Sequence, residues 1–157
     1  MHKKVYENFE KILADPSFQG LVLGNVLEIG AVPTTDSLLA SPTLQAAAKK
    51  IGINLDGGHS MTANAGTADR PHVNIVNANA NDMSFFPDGE FHVVLSNATA
   101  EHDKFFWKTL AEMKRVLRGG GLMIVCVPGY ARGIAVPDAP LATYTHRVHD
   151  WPGDYYR

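Results

Sequence analysis

The sequence predicts an α/β fold with a mostly parallel sheet and helices on both of its faces. The chain has 157 residues, of which 45% are hydrophobic and 19% charged, and this is the composition of one globular domain. Segments typical of strands alternate along it with segments typical of helices, which is the order found in parallel sheets. Residues 122–127 form a continuous apolar run, which predicts a strand buried on both faces.

The first third of the chain predicts helix, strand and helix. A helix is expected before Asp15-Pro16, which ends it, and a short strand over 26–29 is closed by Gly30. Ser41-Pro42 is a helix-start signal, so a second helix is predicted through the following alanines to Lys49-Lys50. The first helix rests on apolar residues at helical spacing, namely Val5, Phe9, Ile12 and Leu13.

The middle of the chain predicts three strands. The first covers 51–55, and the Gly-, Ala- and Asn-rich segment 56–70 after it is interpreted as a loop. A weaker strand is expected over 73–76. The turn sequence at 87–89 precedes another strand that starts at Phe91.

The strongest predicted helix follows, before the last strand. Gly119-Gly120-Gly121 is expected to cap its end. We therefore expect one domain with an N-terminal helix in 1–20, a core over 21–127 and an irregular tail over 128–157. The helix rests on four apolar residues at helical spacing, namely Phe106, Leu110, Met113 and Leu117.

Charge and cysteine content argue against several classes of protein. The 14 Lys and Arg nearly balance the 16 Asp and Glu, without a block of like charges, so neither nucleic acid nor an anionic membrane is an expected partner. The single cysteine, Cys126, lies in an apolar run and is interpreted as a core thiol rather than a nucleophile. No signal peptide or membrane span is recognisable, which favours a cytoplasmic protein.

Ligands of open parallel sheets bind beyond the carboxyl ends of the strands, so the expected binding loops are 30–37, 54–60, 77–84 and 96–103. Four stretches around them carry a family resemblance. They are VLEIG at 26–30, FFPDGEFHVV at 85–94, LSNATAEH at 95–102 and MKRVLRGGGL at 113–122. In this order they resemble the class I S-adenosylmethionine-dependent methyltransferases of the type 11-like group, with motifs such as LPFPDGSFDVV and EMKRVLRPGGL.

The resemblance implies a Rossmann-like methyltransferase fold and S-adenosylmethionine as cofactor. Comparison with the family motifs also shows where this sequence departs from them. Gly30 is followed by Ala31-Val32-Pro33, where the family has G-x-G-x-G, and His92 stands where an aspartate is common. Asn54 and Asn79 take the places of two acids that bind the cofactor, with Asp82 as the alternative for the second acid if the register is shifted. The cofactor-binding residues that the resemblance implies are Glu28, Gly30, Ala31, Asn54, Leu55, Asn79, Ala80, Ser96 and Asn97.

Two further side-chain groups have more than one interpretation. His102 could be a general base, although a structural role with Glu101 at a helix start is favoured. His146 and His149 with Asp150 suggest a metal site, but they lack a fourth ligand, so no metal is expected. No catalytic residue is assigned, because methyl transfer depends mostly on positioning.

The length bears on function. The resemblance implies a seven-stranded sheet in the order 3-2-1-4-5-7-6, and this chain has residues for strands 1 to 5 only. We therefore expect an exposed strand 5 edge and a homo-oligomer formed through that edge or the tail.

The favoured function is methyl transfer to a small-molecule or sugar-type acceptor. The alternative is a non-catalytic protein of this fold that acts through homo- or hetero-association; a nicotinamide dehydrogenase is disfavoured, because no G-x-G-x-x-G follows strand 1.

Overall fold

A five-stranded parallel sheet organises the residues that the computed structural model describes, which are 3–32, 37–55 and 74–127. The strands run in the order β3-β2-β1-β4-β5, and all four neighbouring pairs are parallel. This confirms the predicted α/β class and the order of strands 1 to 5. The strands are β1 Asn25–Ile29, β2 Lys49–Asn54, β3 Asn74–Asn77, β4 Phe91–Asn97 and β5 Leu117–Cys126.

Three α-helices flank the sheet in the part of the chain that the structure describes: α1 Lys3–Leu13, α2 Gln19–Val22 and α3 Phe106–Val116. The expected N-terminal helix is confirmed as α1, which buries Phe9 and Leu13. It ends before Asp15, whose side chain accepts a hydrogen bond from the Ser17 amide and so caps a short 3-10 turn.

Each face of the sheet has its own apolar core, because alternate strand residues point to opposite faces. Val26, Val93 and Leu95 pack with Phe9 and Leu13 of α1. On the opposite face, the core joins strand residues to α3; it contains Leu27, Ile29, Ile51, Ile53, Met83, Phe86, Phe91, Val94, Met113 and Val116. Helices on both faces are therefore confirmed.

The helix predicted from Ser41-Pro42 to Lys49-Lys50 is wrong. Ser41 does act as a cap, since its hydroxyl accepts from the Thr43 amide at 3.1 Å, but the 3-10 turn that it caps, Pro42–Leu44, has only three residues. β2 begins at Lys49, which pairs with Asn25 of β1. Pairing with a distant strand thus outweighs the local helix preference of the alanines.

Two predictions about the last strand are also wrong. The glycines at 119–121 do not cap α3, because β5 starts directly at Leu117 and includes them. Nor is β5 buried on both faces, since Met123 and Val125 are 41% and 38% exposed. The alternate residues Leu122, Ile124 and Cys126 are partly buried against the α1 side of the sheet, so Cys126 is a half-buried free thiol. Within the described residues β5 is an edge strand, as expected.

Several predictions fall outside the described residues. They are the loop over 56–70, the tail over 128–157 and the histidines and aspartate at 146, 149 and 150. None of the helices in the described ranges is long and apolar enough to cross a bilayer.

Candidate functional site

The carboxyl ends of four strands lie side by side at one edge of the sheet. Ile29 of β1 pairs with Ile53 of β2 and with Ser96 of β4, and Asn54 of β2 pairs with Asn77 of β3. Because these strands are parallel, their following loops all leave from this edge, which we call the carboxyl edge. All nine predicted cofactor residues lie within three residues of these strand ends.

The loop after β1 is held against β2. The amides of Gly30 and Ala31 both donate to the Ile53 carbonyl, at 2.8 and 3.2 Å. The Asn54 side-chain amide donates to the Ala31 carbonyl at 2.9 Å. A side chain at Gly52 would overlap the Ala31 methyl group, so this glycine permits the close packing of the loop. Three of the predicted positions, at 30, 31 and 54, are thus brought into direct contact.

Glu28 fixes the next part of the loop. Its carboxylate accepts from the Ser37 hydroxyl at 2.5 Å and from the amides of Leu38 and Leu39 at 3.2 Å. The side chain is buried, and burial raises its pKa above the ordinary value, against the opposing effect of the three hydrogen bonds. Glu28 therefore positions the backbone of residues 37–39.

The residues after β2 and β3 are more open. Leu55 is 45% exposed. The Asn79 side chain is exposed and accepts from the Asn81 amide at 2.9 Å, which is a turn of the type asparagine favours. Ala80 is half-buried and packs against the core beside α3. A contact between Asn79 and a cofactor stays a prediction.

The end of β4 folds back toward β1. Ser96 is buried and Asn97 half-buried. Ala98 then takes a left-handed conformation with φ of 51°, which costs a residue with a side chain about 1–2 kcal/mol. The Thr99 hydroxyl lies 3.1 Å from the Asn97 carbonyl and 3.3 Å from the Ile29 carbonyl. Thr99 was not among the predicted residues, because its main contact is 70 positions away in sequence.

A polar cluster joins the loop after β3 to the start of α3. The Asn81 amide donates to Asp103 Oδ2 and to Thr109 Oγ1, both at 2.7 Å. The Thr109 hydroxyl in turn donates to Asp103 Oδ2 at 2.6 Å, and the Phe105 amide donates to Asp103 Oδ1 at 2.8 Å. This cluster holds two loops of the carboxyl edge in a fixed relation. Sequence reasoning did not find it, although Asn81 and Asp103 both lie in predicted binding loops.

His102 lies in a 3-10 turn over Ala100–His102, directly after the end of β4. Its Nε2 is 3.9 Å from Glu101 Oε1. Both the structural role and a role as general base stay predictions. Nowhere in the described ranges do three His, Cys, Asp or Glu side chains come together as a metal site would require.

Comparison with known proteins identifies the family. The sequence pattern of the family described as "Methyltransferase domain" matches residues 27–125. The chain belongs to this family. The matched range begins in β1 and ends in β5, so it contains the whole carboxyl edge described above. S-adenosylmethionine, the predicted cofactor, is the one that membership of this methyltransferase family indicates.

Solved structures similar to this methyltransferase-domain chain confirm its fold. The YcgJ protein from Bacillus subtilis is 21% identical, with a TM-score of 0.61 over 79% of this chain. A candidate methyltransferase in complex with the Haloferax volcanii Trm112 methyltransferase activator is 18% identical, with a TM-score of 0.52 over 75% of the chain. The methyltransferase CalH in complex with SAH is 14% identical, with a TM-score of 0.52 over 77%.

The methyltransferase-domain chain spans only part of these three relatives, namely 50%, 55% and 38% of their lengths. At these identities the likeness establishes the fold. No curated protein sequence matches the chain significantly. The Haloferax structure also shows that a protein of this fold can have a protein partner.

Proposed function

We propose that the chain binds S-adenosylmethionine at the carboxyl edge and transfers its methyl group to a small-molecule or sugar-type acceptor. The observation that carries this is the alignment of the β1, β2 and β4 ends at one edge, within the range that matches the methyltransferase domain. The chain spans only 50% of the length of the YcgJ protein, so the acceptor has to be identified by experiment.

The asparagines at this edge fit the uncharged hydroxyl and amino groups of a nucleoside. Asn54 and Asn79 offer amide groups, which can both donate to and accept from hydroxyl and amino groups. Leu55, which follows Asn54 in sequence, offers an exposed apolar side chain. Carboxylates would bind a ribose diol more strongly, because hydrogen bonds to charged acceptors are about twice as strong as neutral ones. We therefore expect this chain to bind the cofactor more weakly than relatives that keep the two acids.

We propose the following roles for the predicted residues. The backbone of Gly30 and Ala31, with Ser96 and Asn97 opposite, would line the cofactor at the ends of β1 and β4. Asn54, Leu55, Asn79 and Ala80 would contact its nucleoside part, and Glu28 would act indirectly by fixing residues 37–39. When bound, the cofactor supplies an electrophilic methyl group on a sulfonium sulfur. The chain's part is to orient that group and the acceptor for in-line displacement, which makes geometry rather than a catalytic base the main requirement.

Two matched asparagines test this placement. The Asn54 side chain donates to a backbone carbonyl at the carboxyl edge, and the Asn25 side chain does so at the opposite edge, with distances of 2.9 and 3.1 Å. Calorimetric titration should show that Asn54→Ala weakens binding of S-adenosylhomocysteine about 3- to 10-fold, the value of one neutral hydrogen bond, whereas Asn25→Ala leaves it unchanged. Equal losses in both variants would contradict the placement.

A second candidate function is association without catalysis. It is favoured by β5, which is an edge strand within the described residues and whose Met123 and Val125 are 41% and 38% exposed. Such an edge is a template for pairing with another chain, and a second copy would give the predicted homo-oligomer. Light scattering across micromolar concentrations tests it, since a constant monomer mass would contradict self-association. A chain that associates but binds no cofactor at millimolar concentration would favour this candidate over the first.

A further inference from the structure

The space above Gly30 is filled by another part of the chain. Gly30 has a φ of 75°, and a side chain there would overlap Thr99 Oγ1 and lie 2.9 Å from Thr99 Cγ2 and 3.0 Å from Thr99 Cβ. A glycine at the end of β1 leaves room for something to approach the backbone closely. In this structure, the group that uses that room is the Thr99 side chain.

Weak contacts hold Thr99 in this position. Its single hydroxyl proton is shared between the carbonyls of Asn97 and Ile29, at 3.1 and 3.3 Å. The preceding residue, Ala98, is left-handed with φ of 51°, and its amide donates to the Cys126 carbonyl at 2.9 Å. A left-handed alanine is strained, and this strain lowers the cost of rearranging the segment that carries Thr99.

We infer that the Thr99 side chain blocks access to the Gly30 backbone at the end of β1 and that it sets how tightly the site binds its cofactor. The inference rests on the proposed function for the identity of the ligand. A ligand that approaches the Gly30 backbone must first displace the Thr99 side chain and break its hydrogen bond to the strand-end carbonyls. Removing the side chain beyond Cβ removes this cost, so a truncated variant should bind more tightly than the wild type.

A ligand-free experiment tests whether Thr99 occupies the space at residue 30. Gly30→Ala should lower the melting temperature, and Thr99→Ala should restore part of that loss in the double variant. The matched control is Thr43→Ala, because Thr43 also uses its hydroxyl in a hydrogen bond, to Glu10 at 3.0 Å, but lies in a different part of the fold. If the effects of Gly30→Ala and Thr99→Ala on the melting temperature were additive, the inference that Thr99 blocks the space at residue 30 would be wrong.

Titration with S-adenosylhomocysteine tests the effect on binding, and it remains decisive if Gly30→Ala does not fold. Loss of one neutral hydrogen bond corresponds to about 3- to 10-fold, so Thr99→Ala should bind that much more tightly than the wild type. Thr99→Ser keeps the hydroxyl and should bind like the wild type, as should Thr43→Ala. If the wild type binds and Thr99→Ala binds equally or more weakly, the inference alone is wrong. If no variant binds at millimolar ligand, the proposed function is wrong and this inference is overturned with it.

Discussion

Arg115 near the end of α3 should be one of the largest single contributors to stability outside the apolar cores. Its guanidinium donates five hydrogen bonds at 2.7–2.9 Å. Two go to Glu112, one to Asp88, and one each to the carbonyls of Met83 and Phe86. Together they attach the segment between β3 and β4 to the helix, and the Arg115 hydrogen bond also lowers the pKa of Glu112.

The cost of Arg115→Ala can be worked out from these partners. Asp88 is 81% exposed, so its ion pair contributes at most about 1 kcal/mol. The carbonyls of Met83 and Phe86 belong to buried residues, and each loses a charged donor worth about 1.5–3 kcal/mol. The Arg115 side chain is 28% exposed, so water can replace some of these bonds. We therefore expect a loss of about 2–4 kcal/mol, with Arg115→Lys costing roughly half of that, because an ammonium cannot span all four partners.

Thermal and urea unfolding measure this loss. In a domain of this size, each kcal/mol shifts the melting temperature by about 2–4 °C, so Arg115→Ala should melt roughly 5–15 °C lower. The matched control is Lys114→Ala, an exposed cation at the neighbouring helix position, which should cost less than about 0.5 kcal/mol. If the two alanine variants unfolded at the same urea concentration, the hydrogen bonds of Arg115 would not stabilise the fold and the reasoning would be refuted.

Three further predictions concern single positions. Burial raises the pKa of Glu28, so the wild type should lose stability relative to Glu28→Gln as pH rises above about 4.5, and equal pH slopes in urea unfolding would contradict this. Gly24→Ala should cost about 1–3 kcal/mol, because its methyl group would overlap the His92 ring, whose Nδ1 accepts from the Asn25 amide at 3.0 Å; an unchanged urea midpoint would count against it. Ala98→Gly should be neutral or stabilising by up to about 1 kcal/mol in thermal unfolding, because it removes left-handed strain, and a clear loss would argue against that strain.

The strands could be predicted from sequence because their signals are local. β1 and β4 are short apolar runs bounded by Gly30 and by the turn at 87–89, and the structure places them as expected. The errors arose where a distant strand decides the conformation. The pattern at Lys49-Lys50 is typical of a helix end, but these residues pair with β1. The glycines at 119–121 are typical of a helix cap, but they lie within β5, where its register against β4 shifts.

The candidate site could be predicted in outline but not in its internal contacts. The rule for parallel sheets, together with the family resemblance, is enough to select Gly30 and Asn54. In the structure the Asn54 side chain donates to the Ala31 carbonyl, and the Gly30 amide donates to the Ile53 carbonyl. The roles of Ser37 and Thr99 depend on where two loops fold back onto β1. No periodicity or spacing reports such contacts, so only the three-dimensional structure reveals them.

The central claim is that the cofactor binds at the carboxyl edge. The most direct measurement is a titration of ¹⁵N-labelled protein with S-adenosylhomocysteine, followed by amide chemical shifts. We predict saturable shifts of Gly30, Asn54 and Asn97 at that edge, with little change at Gly24 and Asn25 on the opposite side of the sheet. An unchanged spectrum at millimolar ligand, or shifts confined to the opposite edge, would contradict the claim.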